Sequence, residues 1–222
     1  MRTVIFDLDG TLADTSGDLI AAANVCFADM GEGAVLELAT DAGTALRGGK
    51  AMLRLGLVRI GHTGDIDAQI ERYYPVLLEA YGAAINVHTV LYPGAMEAVA
   101  RLSRDGYAVG ICTNKPAGLA ETLMTQLGVR GAFASLVGAD TLTVRKPDAA
   151  PLVEAVRRAG GDPRRALLVG DTVTDRETAR AAGVPSVLVT FGPGGDDVAA
   201  LKPEALIGHY DELSGVVQRL IG

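Results

Sequence analysis

The feature that most limits the fold is a series of short, unbroken apolar runs, most of them closed by polar residues. Thr3-Val4-Ile5-Phe6 runs into Asp7, Tyr107-Ala108-Val109-Gly110-Ile111-Cys112 into Thr113-Asn114, and Ala166-Leu167-Leu168-Val169 into Gly170-Asp171. Ser186-Val187-Leu188-Val189 comes next; Ser135-Leu136-Val137 is a shorter run and Leu206-Ile207 a weaker one. Runs of this length without polar alternation suit parallel strands buried on both faces. Helical spacing occupies the gaps. Met96, Val99, Ala100 and Leu102 follow it after Pro93-Gly94, as do segments from roughly Leu119 to Leu127, Ala149 to Arg158 and Thr174 to Ala182. Gly128, Gly160 and Gly183 are natural stops. Strand and helix in alternation predict an α/β fold with a doubly wound parallel sheet.

One stretch breaks the alternation. From about Thr15 to Asn86 the periodicity is helical and no convincing strand occurs. This predicts a helical insert over residues 15–86, carried by a core made of residues 1–14 and 87–222. Such an insert, leaving just after the first strand, is expected over the carboxyl ends of the sheet, where ligands of open α/β folds bind. A chain of 222 residues can bury a core domain and a small second one. No window approaches the ~18 apolar residues of a membrane span, and Asp7 interrupts any secretory apolar region. A cytoplasmic protein with no membrane partner is the expectation. A net charge of −7 and a pI near 5.0 argue against a nucleic-acid partner, which needs clustered Lys and Arg. An anionic metabolite remains compatible, because a bound dication dominates its own site. Cys26 and Cys112 match no metal or redox spacing and read as buried thiols. His62, His88 and His209 match no ligand spacing, and the glycines at 192, 194 and 195 look like a turn.

Acidic, hydroxyl and basic residues collect at the ends of the apolar runs. Asp7 and Asp9 lie just past the first, two apart, so in extended chain both carboxylates face one side. Gly10 permits a sharp turn whose N–H groups could cradle an anion. An ordinary acidic turn is the alternative; an EF-hand is excluded by Leu12 and Thr11, where its loop needs Gly and Asp or Asn. Asp171 and Asp175 offer hard oxygen ligands suited to Mg²⁺, although Asp175 could equally serve the N-terminus of the next helix. Thr113-Asn114 could hold phosphate oxygens or simply cap a helix. Lys146 supplies a cation or is solvated. All four clusters fall at or just after predicted strand ends, which in a parallel sheet share one edge.

The ordered set Asp7-x-Asp9-Gly10-Thr11, Thr113-Asn114, Lys146-Pro147 and Gly170-Asp171-x-x-x-Asp175 resembles the four motifs of the haloacid dehalogenase superfamily, over the whole chain. The resemblance implies a Rossmann-like core with a helical cap. It implies Asp7 as the nucleophile that forms an aspartyl-phosphate, and Asp9 as the acid that protonates the leaving alcohol and then the base that activates water. Like charge from Asp7 and the phosphate would help Asp9 hold its proton. Mg²⁺ would be held by Asp7, Asp171 and the main-chain carbonyl of Asp9, with Asp175 supporting its waters. Thr113, the Asn114 backbone and Lys146 would stabilise the transferring oxygens. Asp9 argues against dehalogenases and phosphonate hydrolases, which carry Tyr and Ala there. Phosphatases and sugar phosphomutases remain; a non-catalytic phosphate-binding module is the reading from another class.

Within the phosphatases, Asp9 through Leu19, continuing through Ala22 and Asn24, and Thr113-Asn114-Lys115-Pro116 resemble the phosphoglycolate phosphatases. The expected substrate is therefore a small phosphorylated metabolite, 2-phosphoglycolate first. In the insert, Arg47-Gly48-Gly49-Lys50 could bring cations to a substrate carboxylate or end a solvated helix. It fails as a P-loop, since Thr44 and Ala51 occupy required Gly and Ser/Thr positions. A monomer or homodimer is expected.

Overall fold

The computed structural model describes all 222 residues. In chain order, β1 (Thr3–Phe6) and β2 (Ala13–Asp14) precede four helices, α1 (Ser16–Asp29), α2 (Leu38–Ala45), α3 (Gly49–Arg59) and α4 (Ile66–Ala83). Then come β3 (Val90–Leu91), α5 (Ala95–Arg104), β4 (Ala108–Cys112), α6 (Ala117–Gln126), β5 (Ser135–Val137) and α7 (Ala149–Arg158). β6 (Ala166–Gly170), α8 (Val173–Ala182), β7 (Ser186–Val189), β8 (Ala205–Ile207) and α9 (Leu213–Ile221) complete the chain. Two compact units result, one of Met1–Ala13 with Leu91–Gly222, the other of Asp14–Val90. The short strands β2 and β3 form a two-stranded sheet that the sequence patterns did not suggest. Two residues per strand leave no room for a period to register.

In the first unit the sheet order is β5-β4-β1-β6-β7-β8, every pair parallel. This is the predicted α/β class, and Leu206-Ile207 is indeed part of a strand. β1, β4, β5, β6 and β7 are buried along their whole length, as strands covered by helices on both faces should be. On one face Ile5, Cys112, Val137 and Leu168 pack with Leu152, Ala155 and Val156 of α7 and Ala179 of α8. The opposite face takes the alternate side chains, among them Phe6, whose ring lies 6.4 Å from that of Tyr210, just before α9. Gly183, at φ +68°, ends α8 as a left-handed cap. In the sheet register Phe6 pairs with Ile111 on one side and Val169 on the other, so β1, β4 and β6 end level.

The second unit is built from α1 to α4, with Phe27, Met52, Leu53, Leu57, Leu77 and Tyr81 fully or almost fully buried. Asp41 receives both terminal nitrogens of Arg59 at 2.7 and 2.8 Å and the Glu37 N–H at 2.8 Å, fixing the approach to α2. Asp18, near the start of α1, accepts the N–H groups of Val87, His88 and Thr89 and the Thr89 hydroxyl, at 2.7 to 3.2 Å. No helix of the chain is long and apolar enough to cross a membrane. Both cysteines are buried and free, and burial pushes the Cys26 thiol up to about 11 and the Cys112 thiol up to about 12, which disfavours the thiolate.

Candidate active site

The level ends of β1, β4 and β6 set the site. Asp7 continues the β1 ladder by donating its N–H to the Val169 carbonyl at 2.9 Å. The chain then turns back, with the Leu8 carbonyl accepting from Thr11, Leu12 and Ala13 at 2.9 to 3.3 Å. Gly10 sits in the turn at φ +79°, and a Cβ there would stand 2.4 Å from Asp171 Oδ2. Both the positive φ and the close approach require glycine. Thr11 Oγ1 donates to Asp171 Oδ1 at 2.8 Å, tying the first strand end to the β6 end. Gly192 closes the same space: a Cβ there would stand 2.7 Å from the Gly10 carbonyl oxygen and 3.0 Å from Asp171 Cβ. The glycine turn seen in the sequence thus borders the acidic cluster.

Asp175 is fully buried at the third position of α8. Its Oδ2 accepts the Asp171 and Thr172 N–H groups and the Thr172 hydroxyl, at 3.2, 3.1 and 2.7 Å, and its Oδ1 takes Lys146 Nζ at 2.6 Å. One side chain thus caps the α8 N-terminus through one oxygen and reaches Lys146 with the other. Lys146, 3% exposed, also lies 3.0 Å from Asp7 Oδ1. It is a buried ammonium shared by two carboxylates, not a solvated one. Burial opposes its charge, but Asp175 and Asp7 more than compensate and hold it above the usual lysine range. Asn114 Nδ2 donates to the Lys146 carbonyl at 3.1 Å, so the motif after β4 holds the main chain of the lysine. Thr113 is buried, and its Oγ1 accepts the Lys115 N–H at 3.1 Å.

Asp7, Asp171 and Asp175 each offer a carboxylate oxygen within 4.8 Å of the others. Asp7 rises to about 6, mainly through burial, with Asp175 and Asp9 adding to the effect and Lys146 opposing it. Asp171 is pushed well above the carboxylate range by burial and by the charges of Asp175 and Asp7, against Thr11 and Lys146. Asp171 Oδ2 is buried with no hydrogen-bond donor, and Asp7 Oδ1 has the Lys146 ion contact but no well-aligned hydrogen bond. Orphaned anionic oxygens beside one another are costly unless a cation neutralises them. Hard oxygen donors in this arrangement fit Mg²⁺.

The Asp9 carboxylate is not in that cluster. It turns to Lys115, whose Nζ lies 3.0 Å from Asp9 Oδ1, with side-chain exposures of 4% and 16% for the lysine and the aspartate. In the predicted metal set Asp9 entered through its main-chain carbonyl, and its side chain is available for another task. Lys115 has no counterpart among the expected site residues. Its sequence signals were its place directly after a strand end and its part in Thr113-Asn114-Lys115-Pro116, the segment that resembles the phosphoglycolate phosphatases. Tyr210 was also missed: its hydroxyl donates to the Thr11 carbonyl at 2.7 Å, from a residue 199 positions away. No local pattern could have found it. In the helical unit, Arg47 is exposed beyond α2. Lys50 pairs with Glu71 at 2.5 Å and lies 5.0 Å from the Tyr74 ring centre. Lys50 is thus engaged in an exposed ion pair.

Comparison with known proteins agrees with this geometry. The sequence pattern described as haloacid dehalogenase-like hydrolase matches residues 4–189. A phosphoglycolate phosphatase of Mesorhizobium japonicum is 39% identical over 98% of this chain and 96% of its own length. One from Agrobacterium fabrum is 35% identical over 95% of this chain and 89% of its own. Among solved structures, a predicted phosphoglycolate phosphatase from Haemophilus somnus superposes with a TM-score of 0.83 at 23% identity, covering 98% of each chain, a likeness of fold. With the family pattern spanning most of the chain and its acidic positions gathered at one sheet edge, this protein belongs to the haloacid dehalogenase-like hydrolases.

Proposed function

We propose that this phosphatase hydrolyses 2-phosphoglycolate with Mg²⁺, through a phosphoryl group carried on Asp7. The observation that carries the reading is the different placement of the two aspartates: Asp7 is buried against Lys146 within the acidic cluster, and the Asp9 carboxylate contacts Lys115. The substrate is the one named for relatives at 35–39% identity over nearly the whole chain.

A carboxylate oxygen of Asp7 attacks phosphorus, and the bond from phosphorus to the ester oxygen breaks. Asp9 gives its proton to that oxygen, releasing glycolate as the free alcohol. Asp9 then takes a proton from water as the water attacks phosphorus, the bond to Asp7 breaks, and inorganic phosphate leaves. Lys146 stabilises Asp7 and the charge on the transferring oxygens, aided by the Thr113 hydroxyl and the Asn114 backbone. Asp175 orients Lys146 and the β6 end. Mg²⁺, held by Asp7, Asp171 and the Asp9 carbonyl, would offset the repulsion between the nucleophile and a phosphate dianion.

Free phosphate is measured with 2-phosphoglycolate and with a hexose phosphate, before and after chelation. Release from phosphoglycolate that disappears with EDTA, returns with Mg²⁺ and is abolished by Asp7→Asn is expected. An active Asp7→Asn protein, or isomerised hexose phosphate with little phosphate release, overturns the reading.

A further inference from the structure

The site holds two buried lysines, and the fold sorts them. Lys146 stands on the nucleophile side, against Asp7 and Asp175. Lys115 stands on the other, against Asp9. Lys115 is 6% exposed, and burying an ammonium is costly unless it is paired. Orienting a carboxylate alone does not need a full charge; a neutral amide or hydroxyl donor would do it. The position of the charge is informative because Asp9, as the general acid, is the residue that meets the leaving oxygen.

We infer that Lys115 is the group that recognises the carboxylate of an anionic leaving group, and so selects 2-phospho-carboxylic acids over uncharged phosphate esters. The inference rests on the phosphoglycolate reading and deepens it. In 2-phosphoglycolate the carboxylate carbon is two bonds from the leaving oxygen. An Asp9 carboxyl within hydrogen-bond reach of that oxygen, about 2.6–3.2 Å, brings the substrate carboxylate into the neighbourhood of the ammonium that Asp9 already contacts. The ammonium presents three donors on a four-carbon stem and can serve Asp9 and a carboxylate together. Fixing it costs little further ordering. The Lys115 N–H is held by Thr113 Oγ1 at 3.1 Å, Pro116 is the next residue, and the carbonyl of Lys115 accepts from Ala139 at 3.0 Å. The cations expected from the sequence are less suited. Lys50 is exposed and engaged by Glu71, and Arg47 is an exposed side chain with no partner to fix it.

The test compares kcat/KM for 2-phosphoglycolate and ethyl phosphate, which differ by the carboxylate, in wild type, Lys115→Met, Lys115→Gln and Arg47→Ala. Charge-assisted contacts of this kind correspond to a loss of selectivity of roughly 10- to 100-fold in both Lys115 variants, read as the ratio of the two kcat/KM values. Both substrates are assayed on one preparation, so the ratio does not depend on the fraction folded. If turnover is lost altogether, the same pair of ligands is titrated calorimetrically against Asp7→Asn and Asp7→Asn/Lys115→Met. Affinity for phosphoglycolate should fall to that for ethyl phosphate. Equal losses for both substrates would make Lys115 a positioning residue for Asp9 and overturn the assignment. So would a ratio that collapses in Arg47→Ala and survives in Lys115→Met. A wild-type enzyme that does not prefer phosphoglycolate fails the substrate reading itself, a separate outcome.

Discussion

Replacing Tyr210 by Phe deletes one oxygen atom at a place where the structure makes its loss measurable. The hydroxyl is completely buried and donates at 2.7 Å to the carbonyl of Thr11, in the turn that carries Asp7 and Asp9. Burial, with Asp171, Tyr92 and Asp7 nearby, holds it above the ordinary tyrosine range, which favours the protonated donor. The ring stays in Tyr210→Phe, and with it the contacts to Phe6 and to Phe191, 5.2 Å away. The loss is that of the partner of a buried carbonyl, which costs about 1–3 kcal/mol. For a chain of this size that is a fall in Tm of roughly 2–4 °C per kcal/mol, about 4–8 °C at the middle of the range. Calorimetry reads the shift, and urea unfolding at constant m-value gives the free energy. The same Thr11 donates its hydroxyl to Asp171, so kcat should fall with the stability while the protein stays folded. A Tm within about 1 °C of wild type would refute the view that the carboxyl-terminal segment braces the turn after β1.

Lys146→Met leaves Asp7 and Asp175 buried without their shared cation, a loss of about 3–5 kcal/mol in chelator-treated protein by urea unfolding; an unchanged midpoint would show that the pair is not desolvated. Asp41 is held down to about 2, first by its hydrogen bonds from Arg59, so it contributes stability above the ordinary carboxylate range, and that contribution is lost as pH falls from about 4 through 2. The stability difference between wild type and Asp41→Asn should therefore shrink over that window, and a difference that stays constant would contradict the pairing.

Much of the core was legible because its signals are local. Runs of four to six apolar residues can satisfy their backbone only in neighbouring strands, and their unbroken burial marks a parallel sheet. Helix ends showed through Gly94, Gly128, Gly160 and Gly183, each at positive φ, where glycine carries no steric penalty. The gathering of Asp7, Asp171, Asp175 and Lys146 was legible too, since all stand at or after strand ends, and parallel strands bring such ends to one edge.

The tertiary structure alone decided partnership. The order β5-β4-β1-β6-β7-β8 and its register make Asp7 and Asp171 neighbours at one edge. Lys146 stands between Asp7 and Asp175 because burial removes the water that would otherwise solvate it, a condition no sequence window contains. Lys115 entered the sequence reading only within Thr113-Asn114-Lys115-Pro116, with no partner assigned, and Tyr210 gave no local signal at all. Their contacts with Asp9 and Thr11 span 106 and 199 positions. Periodicity and residue type carry the backbone's choices. Which charged atom faces which is settled only when distant segments exclude water from the same few cubic ångströms.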